Sequence, residues 1–348
     1  MSHNITSTDT VISVRDAGWH GLAKVKADYV TPEEARQEAF PWEPVTTPLY
    51  RAEPVILDDG TIETRYVEIE GTVGVERSDN GEFFGAVSSE YGETLASTNN
   101  KALTQVAESI EGIDAGDVRV ETAGSLKGGR KVWMLLRLAE PLHITGDPHG
   151  TTIPYYALQT SHDGSGAFRG QALFTRVICD NTAQAADLEA QQRGTEFVFR
   201  HTASVGERIE EAKTALSMWR QNVLHWNEQM QELIEIPVTP VMRREFVERF
   251  IPAPVSENSI SKRVQTNIAN ARSEMFRLLG DGNVTTEGIN DTAYGLVQAA
   301  VEFQQHVRGV RGKTELARME SRFNRAYLTR DNMTTVAIDL AREVALAA

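Results

Sequence analysis

Basic and aromatic residues are interleaved around residue 130, and this mixture could bind a polyanion. The pair Gly128-Gly129 predicts a tight turn with a basic residue on each side. Proteins that hold single-stranded nucleic acid use cations to follow the phosphates and aromatic faces to stack on the bases. Tyr155, Tyr156 and Phe168 add aromatic rings in neighbouring segments. The candidate nucleic-acid-binding residues are Lys127, Arg130, Lys131, Trp133, Arg137, Arg169 and Arg176. An ordinary solvated surface would explain the same residues equally well.

A second group of arginines lies near the carboxyl end. Arg318, Arg322 and Arg325 share one face of a predicted helix, and Arg311 precedes them. Glutamates in the same segment favour a simpler interpretation, in which this is a solvated face with paired charges.

The sequence has no complete signature of nucleotide-driven or nucleophilic catalysis. Residues 309–314 end like a phosphate-binding loop, but Val307 stands where that loop needs a glycine, and a helix is predicted before it. Cys179 is the single cysteine and lies in an apolar run, which is typical of an inert buried thiol. We therefore predict no catalytic residue and no cofactor.

Four potential metal ligands occur in one region: Asp147, His149, His162 and Asp163. Carboxylates and imidazoles can bind transition metals, but their spacing here fits no closed zinc pattern. We predict no metal site and keep a metal-dependent nuclease at these residues as an alternative.

A β-hairpin is predicted to position the basic residues. Residues 118–122 alternate apolar and polar side chains, and so do residues 131–138 after the glycine turn. Further strands are predicted at 154–160, 174–179 and 196–201. We expect an α+β fold, with a mixed domain over residues 1–203 and a helical region over 204–348.

Capping and turn residues predict several further elements. Thr31-Pro32 predicts a helix start, and residues 57–61 predict a hairpin turn followed by a strand at 66–75. Apolar spacing predicts a helix at 101–110, and residues 180–182 predict a cap before a helix at 183–193.

The second half is predicted to be helical. A long helix should begin at Ser204, with an apolar stripe along one face that favours core packing over a subunit contact. Its members are Ile209, Ala212, Leu216, Trp219, Val223, Trp226, Met230 and Leu233. Shorter helices follow between the prolines at 240 and 252, around 259–279, 292–308 and 314–327, and at 333–347.

Composition limits the possible locations and partners. The 348 residues carry a net charge of −14, which argues mildly against a bulk polyanion binder. The charge is uneven, with 20 Lys and Arg against 36 Asp and Glu in residues 1–241, and 14 against 10 in residues 242–330. One cysteine, a polar amino terminus and no membrane-length apolar run predict a cytoplasmic protein without a membrane contact.

Several segments resemble a family of phage- and plasmid-borne proteins whose shared domain has no known function. They are residues 18–22, 31–42, 121–133, 163–165, 176–182, 200–202 and 292–295, and the glycine turn and 176–182 are the most specific. The resemblance implies a mobile-element origin and brings no catalytic residues. The order of helix, hairpin, strands and helix is also similar to the Rad52-like annealing proteins of phages, which form rings.

The favoured hypothesis is a non-enzymatic protein that binds and anneals single-stranded DNA in recombination or replication, as a homo-oligomer. One alternative is a protein-binding regulatory or anti-defence factor with an acidic surface. The other is the metal-dependent nuclease.

Overall fold

The computed structural model describes most of the chain. The described residues are 6–14, 23–110, 113, 116–176, 181–184, 196–202, 204–216, 219–253, 261–309, 318, 321 and 333–347. Among them, strands lie before residue 200 and mostly helices after it, which confirms the predicted α+β class. No helix in these segments is both long enough and apolar enough to cross a bilayer.

The strands form two sheets. In chain order they are β1 (Val11–Ser13), β2 (Lys24–Val25), β3 (Pro44–Ile56), β4 (Ile62–Arg77), β5 (Phe83–Ser88), β6 (Val118–Leu126), β7 (Lys131–Leu138), β8 (Leu142–His143), β9 (Thr151–Ser161), β10 (Phe168–Arg176), β11 (Asn181–Gln184) and β12 (Glu196–Phe199). The larger sheet has the order β11-β10-β9-β7-β6-β1-β2, with β12 beside β10 and β8 beside β9. All of its pairs are antiparallel except β1 with β2.

The predicted hairpin at residues 118–138 is confirmed as the β6–β7 pair. Alternation along β7 places Val132, Met134 and Leu136 in the main hydrophobic core. The opposite face of the sheet is also largely buried. There Leu135 and Tyr155 belong to a second, smaller apolar cluster.

The smaller sheet has the order β3-β4-β5. Leu57 donates to Thr61 across the predicted turn at 2.8 Å, and β4 contains the predicted strand at 66–75. β5 pairs only with residues 72–76 of β4, so the distal parts of β3 and β4 form a two-stranded ribbon.

The helices begin and end close to where capping chemistry predicts. In chain order the described helices are α1 (Pro32–Ala39), α2 (Ser89–Thr98), α3 (Asn100–Glu108), α4 (Val205–Leu216), α5 (Trp219–Glu235), α6 (Pro240–Phe250), α7 (Lys262–Leu278), α8 (Ala293–Glu302) and α9 (Met333–Leu346). A π-helical turn, Phe303–Val307, follows α8. Thr31 caps α1 through a complete capping box with Glu34, as the sequence indicates.

The apolar stripe of the second half is part of the core. Its described members are buried: Ile209, Leu216, Trp219, Val223, Trp226, Met230 and Leu233. They pack on the sheet, where Trp226 stacks on Phe174 with ring centroids 4.0 Å apart. The described parts of the predicted long helix are helical, as α4 and α5 on either side of residues 217 and 218, which lie outside the described residues. One buried cluster joins both halves of the chain, and the division at residue 203 stays a prediction.

One local prediction is wrong. Residues 181–184 form β11, paired with β10 from Leu173 to Arg176, although Asn181-Thr182 had the chemistry of a helix cap. The sheet edge uses their backbone groups in a ladder, and this tertiary pairing overrides the local preference. The rest of the predicted helix at 183–193 and the helix at 314–327 fall almost wholly outside the described residues.

Candidate nucleic-acid interface

The turn between β6 and β7 has a backbone that requires glycine. Lys127, Gly128 and Gly129 have φ values of 58°, 75° and 107°. A Cβ on Gly129 would lie 2.6 Å from the ring of Trp42. Glycine is therefore needed at 129 for its conformation and for the close approach of this ring.

Side chains from three distant segments fix this turn. The Gly128 N–H donates to Asp9 Oδ2 at 2.8 Å, and the Gly128 carbonyl accepts from Arg77 Nη1 at 3.1 Å. Arg77 is itself paired with Asp79 at 2.8 Å and lies 4.4 Å over the ring of Trp42. The turn is therefore held in one conformation before any ligand binds.

Arg130 has a structural role in this turn. Its guanidinium donates to the carbonyl oxygens of Lys127, Phe84 and Phe83 at 3.0, 2.8 and 2.8 Å. These bonds tie β7 to β5 and use neutral acceptors, so they leave the positive charge of the half-buried side chain in place.

Three of the predicted cations form one group, which we call the basic cluster: Lys127, Lys131 and Arg169. Lys131 lies opposite Ser161, and Arg169 lies opposite Gln159, so both project from the same face of the sheet. Burial lowers the pKa of Lys131, and the nearby charges of Lys127 and Arg169 lower it further. Lys127 and Arg169 therefore each lie near Lys131.

The carboxylate of Asp163 lies beside the basic cluster, and the carboxylates of Glu82 and Asp9 lie against the turn at Gly128. Burial alone would raise its pKa, but hydrogen bonds from Ser165 and Ser161 outweigh this effect and the pKa is lowered. The Ser161 hydroxyl donates to Oδ1 at 2.7 Å, and the Ser165 N–H donates to it at 2.9 Å. Asp163 therefore stays charged and offsets part of the positive charge at Lys131.

The loop that carries Asp163 is pinned to α2. The Tyr91 hydroxyl donates to the Ser161 carbonyl at 2.9 Å and accepts from the Gly164 N–H at 3.2 Å. Burial raises the pKa of Tyr91 to about 12, so the phenol stays protonated and can hold both bonds. The loop beside the basic cluster is therefore held in place by Tyr91.

The predicted aromatic partners do not reach solvent. Trp133 is 2% exposed, and Tyr155, Tyr156 and Phe168 are fully buried. Trp133 packs so closely over Gly124 that a Cβ there would lie 2.4 Å from its ring. The expectation that these rings stack on bases is wrong for this structure, because a stacking ring must present a face to solvent.

Arg137 is also engaged inside the protein. Its Nη1 donates to the hydroxyl of Tyr29 at 2.8 Å and to Glu121 Oε2 at 3.4 Å. Glu121 is 1% exposed and also accepts from the Tyr155 hydroxyl at 2.9 Å. Arg137 therefore compensates a buried carboxylate, and its side chain is 18% exposed.

The other predicted cations are only partly described. The backbone of Arg176 pairs with Thr152 in β9 and with Asn181 in β11, and its side chain is outside the described residues. Of the second arginine group, Arg318 is exposed, while 311, 322 and 325 lie outside the described residues.

The potential metal ligands do not assemble among the described residues. His162 is fully buried between Phe84 and Trp42, and its Nε2 is 2.9 Å from Asn100 Oδ1. Burial lowers its pKa to about 3. The described part of the chain contains no group of three His, Cys, Asp or Glu residues that could hold a metal ion.

The sequence analysis did not predict the exposed apolar surface on the β3–β4 hairpin. Tyr50, Ile56, Ile62 and Tyr66 are between 54% and 74% exposed. Their alternation along two strands predicts a hairpin with one apolar face, but not that this face is uncovered.

The fold and the charges thus define an α+β protein with a cationic cluster beside a rigid hairpin turn. A family model described as "Domain of unknown function (DUF932)" matches residues 86–328, which is more than half of the chain. The chain belongs to this family. No curated protein and no solved structure matches the chain. The matched stretch contains the basic cluster, whereas β3 and β4 precede it.

Proposed function

We propose that the protein binds single-stranded DNA through its phosphates and anneals complementary strands, without catalysing a reaction. The single observation that supports this most is the basic cluster. Lys127 and Arg169 both lie near enough to Lys131 to lower its pKa, and the carboxylate of Asp163 lies beside them. Cations gathered at a fixed site favour a phosphate.

The resemblance of residues 121–133 and 176–182 to phage- and plasmid-borne proteins supports a role in the recombination or replication of a mobile element. We place that role in the host cytoplasm. The buried aromatic rings change the expected mode of binding: contacts to phosphate should dominate over base stacking, so sequence preference should be weak.

The net charge of −14 does not prevent local binding. Exposed charges farther apart than roughly 10 Å are largely screened at 0.1 M salt, so a phosphate mainly senses the cations at the site. The acidic remainder should nevertheless weaken binding at low salt, where screening is weaker and electrostatic repulsion extends farther.

The test is fluorescence anisotropy of a labelled oligonucleotide over a series of salt concentrations. The triple variant Lys127→Gln, Lys131→Gln and Arg169→Gln keeps polar, unbranched side chains and removes three charges. Each lost phosphate contact should lower the slope of log K against log salt by about 0.7 for a single strand, so the slope should fall by roughly 2. A strand-annealing assay with two complementary oligonucleotides should lose rate in the same variant.

A matched control is Lys24→Gln. Lys24 is an exposed lysine on β2, at the far edge of the same sheet. The substitution removes one charge away from the basic cluster, and oligonucleotide binding should be nearly unchanged. The proposal is overturned if the wild-type protein binds no oligonucleotide at low salt, or if the triple variant binds as tightly as wild type.

A second candidate function is protein binding through an acidic surface. The exposed hairpin of β3 and β4 favours it, because its uncovered apolar face is typical of protein contacts. The metal-dependent nuclease is disfavoured, because the described residues contain no group of three His, Cys, Asp or Glu side chains that could hold a metal ion.

A further inference from the structure

The distal part of the β3–β4 hairpin is exposed on all sides. We call residues 50–70 the β arm. None of these residues is buried, and only Glu53, Val55 and Val67 are even partly covered. A two-stranded ribbon in water has little stability of its own, so an uncovered arm gains from a partner.

The register gives the β arm two different faces. One face carries the pairs Tyr50 with Glu68, Ala52 with Tyr66, Pro54 with Thr64, and Ile56 with Ile62. The other carries Arg51 with Val67, Glu53 with Arg65, and Val55 with Glu63. The first face is mainly apolar, and the second holds its own charge pairs, including Arg51 with Glu53 at 2.8 Å.

The β arm is acidic as well as apolar. It contains six Asp and Glu residues against two Arg, a net charge of −4. Asp58 and Asp59 are exposed at its tip, beside Ile56 and Ile62. This charge disfavours nucleic acid as the occupant and favours a protein surface that combines cations with apolar groups.

The first turns of α7 form such a surface in the same chain. Lys262, Arg263 and Val264 are all exposed, and the first partly covered residue of α7 is Ile268. Two cations in the first turn of a helix face the positive end of its dipole, which is unfavourable. An acidic partner would offset that cost.

We propose that the β arm of one copy docks on the first turns of α7 of a second copy. Its apolar face would cover Val264, and its acidic tip would pair with Lys262 and Arg263. Each copy has one β arm and one α7, so the contact can close as a reciprocal two-fold dimer or as a ring, or continue into a filament.

The contact should be weak in dilute solution. Seven ladder pairs, from Tyr50 to Ile56, span roughly 20 Å at about 3.4 Å per residue. A ribbon of this size covers far less than the about 800 Å² per partner of a stable interface. Association should therefore rise with protein concentration.

The test is sedimentation velocity of the full chain, without nucleic acid, over a range of concentrations. Wild type should form larger species as concentration rises. Ile62→Asp with Tyr66→Ser should stay monomeric at every concentration. Val284→Asp introduces a charge at another exposed apolar residue, on a loop, and should assemble like wild type. At a concentration where wild type is monomeric, a melting temperature equal to that of wild type shows that each variant folds.

A charge exchange identifies the docking partner. One variant carries Lys262→Glu and Arg263→Glu, and the other carries Asp58→Lys and Asp59→Lys. Each alone should stay monomeric, because its arm and its helix then have the same sign of charge. Mixed together, they should co-assemble, because each arm meets an oppositely charged helix.

Three outcomes would overturn the proposal: a wild type that is monomeric at its highest soluble concentration, arm variants that assemble normally, or mixed variants that do not co-assemble. If wild type assembles through some other contact, the arm variants will assemble normally too, which is the second of these outcomes. The assay contains no oligonucleotide, so failure here is distinguishable from failure of the proposed DNA binding.

Discussion

The two main hairpins of this protein have similar alternating patterns but opposite surroundings. In the β6–β7 hairpin, Trp133 and Val132 are both buried, although they lie on opposite faces of the sheet. In the β3–β4 hairpin, neither face of the β arm contains a buried residue. The first hairpin is therefore an anchor of the core, and the second is a surface that is available to a partner. Alternation specifies which residues share a face, but it does not specify what covers that face.

The glycine turn gives the largest expected contrast between the two hairpins. Gly129→Val should lower the free energy of unfolding by about 3 kcal/mol or more, because it adds strain at φ 107° and forces the ring of Trp42 to move. Gly60→Val, at the tip of the β arm, has φ 82° but no atom within 4 Å of the added Cβ. It should cost only the strain, about 1 kcal/mol.

Urea denaturation of the two variants measures this contrast. Equal losses at the two positions would show that backbone strain alone matters, and that contact with Trp42 does not anchor the β6–β7 turn.

The core under the glycine turn should also respond to pH. His162 donates its backbone N–H to the Arg130 carbonyl at 2.9 Å, and its ring is fully buried, which lowers its pKa to about 3. The unfolded chain binds a proton near pH 6.5, while the folded chain does not. Stability is therefore fully present above pH 6.5 and falls as the pH drops toward 3, by up to about 1.4 kcal/mol per pH unit.

At pH 5 this effect amounts to about 2 kcal/mol for His162. His162→Gln can keep a bond to Asn100 and should flatten the dependence of unfolding free energy on pH between 6.5 and 5. His201, whose pKa burial lowers to about 4, should maintain a residual slope. His225→Gln alters an exposed side chain and serves as the control. An unchanged slope in His162→Gln would contradict a neutral buried imidazole.

Sequence reasoning placed the scaffold of the site correctly. The glycine pair predicted the turn because only glycine tolerates its φ values, and Thr31-Pro32 predicted α1 because the capping chemistry is local. It misplaced Trp133 and Tyr155, because burial of a second sheet face depends on distant segments that cover it. β11 was missed for a similar reason, since Asn181-Thr182 can cap a helix or join a ladder, and β10 decides between them.

Among the cations, the sequence could identify candidates but not their partners. Arg130, Lys131 and Arg137 are all cations of the same hairpin. Arg130 nevertheless binds three carbonyl oxygens, and Arg137 compensates Glu121. Only the register of β7, β9 and β10 brings Lys131 and Arg169 to the same face. Partners that are far apart in sequence therefore decide which charges are available to a ligand.

The smallest expected effect on stability is in the β arm. Ile62→Asp replaces a side chain that is 71% exposed, so the free energy of unfolding should change by less than about 0.5 kcal/mol in dilute protein. Leu136→Asp, in β7, places a carboxylate in the main core and should prevent folding or cost several kcal/mol. Dilution is essential, because any assembly through the arm would add its own stabilisation. A loss of more than about 1 kcal/mol for Ile62→Asp at low concentration would mean that the arm supports the fold itself. The contrast between a buried hairpin and an exposed, binding hairpin would then disappear.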